Sequence, residues 1–212
     1  MAQMHAVKVQ VHLAPIFIAI VIILTALDSA AQLLSAGQTA PSKFAYVANQ
    51  HADTVSAFTI DSATGSFTEI SGSPFPVSSS SPRSLGADPQ GRFLYSVGWS
   101  SANVAAYAVD ATSGRLSEIP GSPFAAGNHP AALTVDPSGR FLYVANQYSD
   151  TISAYTINSA TGALSEIAGS PFRSGSWPVG VAVSPTGKFL YVANWISGTV
   201  SAYAIDATSG ES

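Results

Sequence analysis

The chain has 212 residues, of which 47% are hydrophobic and only 9% charged, against about 25% charged in an average soluble domain. Eight basic residues against twelve acidic ones leave a net charge of −4, so there is no basic field to draw nucleic-acid phosphates, and nucleic acid is not expected as a partner. Cys is absent and the four His form no H-E-x-x-H pair, which excludes disulfides, thiolate sites and cysteine nucleophiles; neither a metal site nor any cofactor is expected.

The first predicted element is an address. Lys8 is followed by an apolar run from Leu13 to Leu27 that Asp28 ends and Ser29-Ala30-Ala31 follows. The run is shorter than the roughly 20 residues a membrane-spanning helix needs. Small residues also stand where a signal peptidase reads. Residues 1–31 are therefore expected to be a secretory signal peptide and residues 32–42 a small, polar linker, with an uncleaved N-terminal membrane anchor as the alternative. Export to the periplasm, cell surface or medium follows.

From Lys43 onward the chain is one unit repeated. Phe44-Ala-Tyr-Val-Ala-Asn49 returns at Phe93, Phe141 and Phe189, with offsets of 49, 48 and 48. Val55-Ser-Ala-Phe-Thr-Ile-Asp61 returns at Val104, Ile152 and Val200, and Gly72-Ser-Pro-Phe75 at Gly121 and Gly169. Each unit holds four strand-like runs. In the third they are 131–136, 141–146, 151–158 and 163–168. Turn signals such as Asp136-Pro-Ser-Gly139 lie between them. Four short strands per unit of about 48 residues predict an all-β fold, a β-propeller of four-stranded antiparallel blades. The blades are expected at 43–81, 82–129, 130–177 and 178–212.

These repeated F-L-Y-V-A-N, V-S-A-Y-x-I-D and G-S-P-F motifs resemble the secreted lactonase-like β-propellers, related to 6-phosphogluconolactonases and to YVTN-type surface repeats. The resemblance covers 43–212. It implies a seven-bladed circle and, for the enzymes of the family, opening of a sugar lactone. With strands lettered A (inner) to D (outer), the phase runs from B in the first blade to C in the fourth. That is about three and a half blades of an expected seven, so the sequence reads as a fragment of a longer propeller. Uncovered blade faces are expected to drive self-association.

The repeat also sorts the polar residues. Lys43, Arg92, Arg140 and Lys188 share one position, as do Asp61, Asp110, Asn158 and Asp206 at the end of strand C, and Glu69, Glu118 and Glu166 in strand D. Recurrence marks these as turn charges, turn caps and guards of an edge strand. The unique residues gather just before or within the start of strand A, at Ser81-Pro82-Arg83, His129-Pro130-Ala131 and Trp177-Pro178-Val179, with Arg173 in the same connection. These positions are expected at one mouth of the central channel. Arg83 and Arg173 are candidates to hold a carboxylate or phosphate, Trp177 to stack on a sugar ring, and His129 to act as general base towards water. His51, on a B–C turn, is read as an exposed turn residue. The resemblance implies His and Arg around these strand starts. Directly after the proline this chain has Arg83, Ala131 and Val179, and only Arg83 is of a catalytic type. The expected function is an exported binding or surface module for a small sugar-like or anionic ligand. The alternative is a lactone hydrolase using His129.

Overall fold

The structure, a computed structural model, describes residues 43–206 and residue 210. The expected signal peptide and linker lie outside the described residues. Seventeen strands follow one another, and there is no helix among the described residues. The first blade holds β1 (Lys43–Asn49), β2 (Thr54–Ile60), β3 (Phe67–Glu69) and β4 (Phe75–Pro76). The second holds β5 (Pro82–Ala87), β6 (Phe93–Gly98), β7 (Asn103–Val109), β8 (Leu116–Glu118) and β9 (Phe124–Ala125). The third holds β10 (Pro130–Val135), β11 (Phe141–Asn146), β12 (Thr151–Ile157), β13 (Leu164–Glu166) and β14 (Phe172–Arg173). The fourth holds β15 (Pro178–Val183), β16 (Phe189–Asn194) and β17 (Thr199–Ala204). Every pairing is antiparallel, and all join chain neighbours except β2 with β4, β7 with β9 and β12 with β14, a meander with tight turns whose last strand is split. The inner strands β5, β10 and β15 pack side by side around the axis.

The outer strand differs from the expectation. It is broken in two. In the third blade β13 pairs with the far half of β12 and β14 with its near half, and the first two blades repeat this. The G-S-P-F motif makes the break. The Ser170 hydroxyl accepts from the Ala154 N–H at 3.0 Å and donates to Glu166 at 2.9 Å. Ser122 with Ala106 and Glu118, and Ser73 with Ala57 and Glu69, do the same. The serine thus satisfies a ladder N–H that the broken strand leaves open. The recurring glutamates hold that serine as well as marking the edge.

The turns follow from their side chains. Asp136 Oδ1 accepts from the N–H groups of Arg140 and Phe141, both at 2.7 Å, and Asp88 repeats this with Arg92 and Phe93. Asp61, Asp110 and Asn158 each accept two N–H groups of the following C–D turn, as their repetition predicts.

The core lies between blades. Alternation in the strands sends Phe93, Tyr95 and Val97 to the seam with the third blade and Leu94 to the seam with the first. Three such seams carry the apolar burial. A leucine fully buried there, such as Leu142, stabilises by about 1.5–3 kcal/mol. Two tyrosines pin each seam. Tyr46, Tyr95 and Tyr143 donate forward to the carbonyls of Gly114, Gly162 and Gly210 at 2.8–3.0 Å. Tyr155 and Tyr203 donate back to the carbonyls of Ala125 and Arg173 at 2.6 Å. The corresponding Tyr107 accepts instead from the Ser78 N–H at 3.0 Å.

Candidate functional site

The site is built where each strand A begins. There a residue with positive φ (Ser81 at 54°, His129 at 52°, Trp177 at 57°) precedes the proline, a conformation that costs a non-glycine residue energy and persists only where its surroundings impose it. Two bonds do so. The carbonyl of this lead-in residue accepts from the first residue after strand B of its own blade: Trp99 to Ser81 at 3.1 Å, Gln147 to His129 at 3.1 Å and Trp195 to Trp177 at 2.9 Å. The B–C turn is thereby drawn against the start of strand A. The second bond comes from the preceding blade. Asp53 Oδ1 accepts from the Ser81 N–H at 2.6 Å, and Asp150 Oδ1 from the Trp177 N–H at 2.8 Å.

The second blade departs from this pattern. Its equivalent of Asp53 and Asp150 is Ala102, with the same positive φ of 50°. The backbone N–H of His129 consequently has no side-chain acceptor and makes no hydrogen bond among the described residues.

Directly after the proline each strand A carries a β-bulge, with register shifts between Pro82 and Ser84, Pro130 and Ala132, and Pro178 and Gly180. The bulged residues are Arg83, Ala131 and Val179. A bulge re-aims its side chain, and that of Arg83 crosses to its neighbours. Its guanidinium carbon lies 4.1 Å from the Trp99 ring centroid, and Nη1 donates to Gln147 Oε1 at 3.3 Å. No ion pair involves Arg83 among the described residues. Burial pushes its pKa below the ordinary arginine value, partly offset by the neighbouring Tyr148 phenol. Arg83 is thus a half-buried cation held by a ring and an amide, with no carboxylate as its partner.

Beside it runs a row of aromatic rings. Trp99 meets His129 edge-on at 4.8 Å, and His129 stacks on Tyr148 at 4.3 Å and 28°. Tyr148 lies 5.0 Å from Trp177, which meets Trp195 at 6.4 Å. The row crosses the second, third and fourth blades, and Tyr148 and Trp195 are 51% and 68% exposed. Neither imidazole nitrogen of His129 has a hydrogen-bond partner among the described residues, nor does the Tyr148 hydroxyl.

The structure therefore brings together three residues singled out from the sequence, Arg83, His129 and Trp177. Arg173 is not among them. It lies on the outer strand β14, opposite Thr151, with an exposed side chain, because Phe172-Arg173 belongs to the broken outer strand rather than to the connection. Trp99, Gln147, Tyr148 and Trp195 were missed. Each stands in a B–C turn, where periodicity is silent, and the one signal was that Trp99 and Trp195 replace the Gln50 and Gln147 of the other units. His51 is exposed in its turn. No group of three or more His, Cys, Asp or Glu is placed to hold a metal ion among the described residues.

Comparison with known proteins agrees with this architecture. The profile of the lactonase family of seven-bladed β-propellers matches residues 28–123 and 117–212. Among solved structures, a Bacteroides uniformis protein provisionally assigned as a 6-phosphogluconolactonase superposes with a TM-score of 0.69 at 23% identity, over 81% of this chain and 49% of that one. A protein from Lactobacillus plantarum gives 0.68 at 26%, over 80% and 50%. The periplasmic gluconolactonase of Pseudomonas aeruginosa gives 0.67 at 27%, over 79% and 48%. The chain spans about half the length of these structures. No curated protein matches it at a significant level. By its sequence profile and its repeated four-stranded blades, the chain belongs to the lactonase family of seven-bladed β-propellers.

Proposed function

We propose that this is an exported propeller that binds a small anionic, sugar-like ligand where the strands A begin. One observation carries the reading: the Arg83 guanidinium is half-buried against Trp99 and lacks a carboxylate among the described residues. Desolvating a cation without an anion costs stability, and an anionic ligand offsets that cost. The free His129 N–H adds a donor, and the half-exposed Tyr148 ring, stacked on His129, adds an apolar surface for the C–H groups of a sugar. Calorimetric titration with gluconate and 6-phosphogluconate tests this. Binding to the wild type that is lost in Arg83→Leu supports it, and binding that survives Arg83→Leu overturns it.

Lactone hydrolysis is the second reading, favoured by the unpartnered imidazole of His129 beside Trp99 and Arg83. A ring nitrogen of His129 takes a proton from water, and the water oxygen attacks the lactone carbonyl. The ring C–O bond then breaks, and the proton passes to the departing hydroxyl. Arg83 holds the substrate's anionic group. Turnover of glucono-δ-lactone or 6-phosphogluconolactone that His129→Ala abolishes supports this reading. Ligand binding without turnover leaves the binding module alone.

A further inference from the structure

The aromatic row is longer than one sugar ring needs. Arg83, Trp99 and His129 already frame a single unit, yet the rings continue through Tyr148 and Trp177 to Trp195 on the fourth blade. The repeat does not dictate this continuation. The first blade carries Gln50 and His51 in its turn, and the lead-in residue of the second blade is Ser81. The later blades fill the row from different positions: the first turn residue in the second blade (Trp99), the second in the third (Tyr148) and the first again in the fourth (Trp195), with His129 and Trp177 as lead-in residues between them. The seam residues, by contrast, recur at fixed positions. Continuity of the rings is what the varied positions share.

Its exposure sets the row apart from a core. Tyr148 keeps a large apolar area in water, and Trp99, His129 and Trp177 are half-buried rather than closed over. The Tyr148 hydroxyl, both His129 nitrogens and the indole N–H groups of Trp99, Trp177 and Trp195 have no hydrogen-bond partner among the described residues. Apolar faces with unused polar edges suit an amphipathic occupant, one with C–H faces and hydroxyl rims. Positive charge stands at one end, at Arg83, where the guanidinium lies over the first ring, while the Asp150 carboxylate lies on the Trp177 N–H further along.

We infer that the row from Trp99 to Trp195 is an extended subsite for an oligosaccharide with an acidic terminal unit, the acid at Arg83 and the neutral units lying along Tyr148, Trp177 and Trp195. This rests on the proposed anion-binding reading and deepens it. His129 and Tyr148 pack face to face at 4.3 Å and Tyr148 and Trp177 lie 5.0 Å apart at 32°, so the row is a continuous ledge that glycosyl units meet along its outer, exposed side.

The test is calorimetry and tryptophan fluorescence with gluconate and the aldonic acids of β-1,4- and α-1,4-linked glucose di-, tri- and tetrasaccharides. In one of the two series, affinity is expected to rise about tenfold or more from gluconate to the trisaccharide acid, the scale of one or two aromatic contacts. Trp195→Ala and Tyr148→Ala, at exposed positions where folding is not at stake, are expected to remove that gain. Neutral oligosaccharides of equal length are expected to bind more weakly than the acids. Equal affinity for gluconate and every longer acid overturns the inference while leaving the anion site intact. So does a length gain that survives both substitutions. Equal binding of neutral and acidic chains overturns the polarity assigned to the row. Absence of binding by every acid, gluconate included, overturns the anion-binding reading and this inference with it.

Discussion

The Tyr95 hydroxyl donates to the carbonyl of Gly162 across 3.0 Å, joining strand B of the second blade to the C–D turn of the third. The same bond runs from Tyr46 to Gly114 and from Tyr143 to Gly210. Burial raises all three phenols well above the ordinary tyrosine range and pushes Tyr155 to about 12. Each therefore stays a protonated donor while the same residue in the unfolded chain ionises near 10. A folded pKa above the unfolded one gives stability that is complete below the unfolded value and is lost as pH rises towards the folded one. Stability should fall steeply above about pH 10. Tyr95→Phe should cost about 1–3 kcal/mol at neutral pH, because the Gly162 carbonyl is left buried and unpaired, and should make the alkaline loss shallower. Urea unfolding at several pH values measures both.

Asp110 sets part of the acid limb. Its carboxylate accepts the N–H groups of Ser113 and Thr112, and the bonds from Ser113, ahead of that from Thr112, lower its pKa. With a depressed folded pKa, the stabilisation is present above the unfolded value and disappears as pH falls through the folded one. Asn158 makes the equivalent bonds with a neutral amide oxygen. Asp110→Asn should therefore keep neutral-pH stability close to wild type and flatten the decline of Tm below about pH 4. A steep acid decline unchanged in the variant would sink this account.

Ala102→Asp should exchange function for stability. The new carboxylate stands where Asp53 and Asp150 cap Ser81 and Trp177, and an aspartate tolerates the positive φ better than alanine does. The His129 N–H gains its missing acceptor, worth about 0.5–1.5 kcal/mol. The same bond takes that donor from an anionic ligand and places a negative charge beside it. Thermal unfolding should show a rise in Tm, and titration with gluconate a loss of affinity. Affinity unchanged alongside a higher Tm would remove the His129 N–H from the site.

The fold was legible because a repeat offers the same reading four times. The apolar run that opens Phe-x-Tyr at 44, 93, 141 and 189 lands in strand B each time. The broken outer strand was not legible. Phe172-Arg173 is too short to show any period, and the Glu166–Ser170–Ala154 relay links three segments that look independent along the chain. Arg173 was misplaced for that reason. In the site, Arg83, His129 and Trp177 stood out as departures from the repeat beside a proline. Trp99, Tyr148 and Trp195 depart equally, but their meaning depends on which turn touches which lead-in residue, and only the register of the blades decides that.

The sameness of the seams has a consequence for how the chain reaches its fold. The outgoing face of the second blade presents Phe93, Tyr95 and Val104, and that of the third Phe141, Tyr143 and Ile152; the incoming faces present Leu94 or Leu142 or Leu190, each with its tyrosine. Packing alone barely distinguishes a correct neighbour from a blade one place out of turn. The correct order is selected by tether length, through the few residues at 126–129 and 174–177 that let only the adjacent blade arrive quickly. Skipped-blade mispairings are then expected as kinetic traps close in contact energy to the native order, and folding of the blades one at a time from the N-terminus should reduce them.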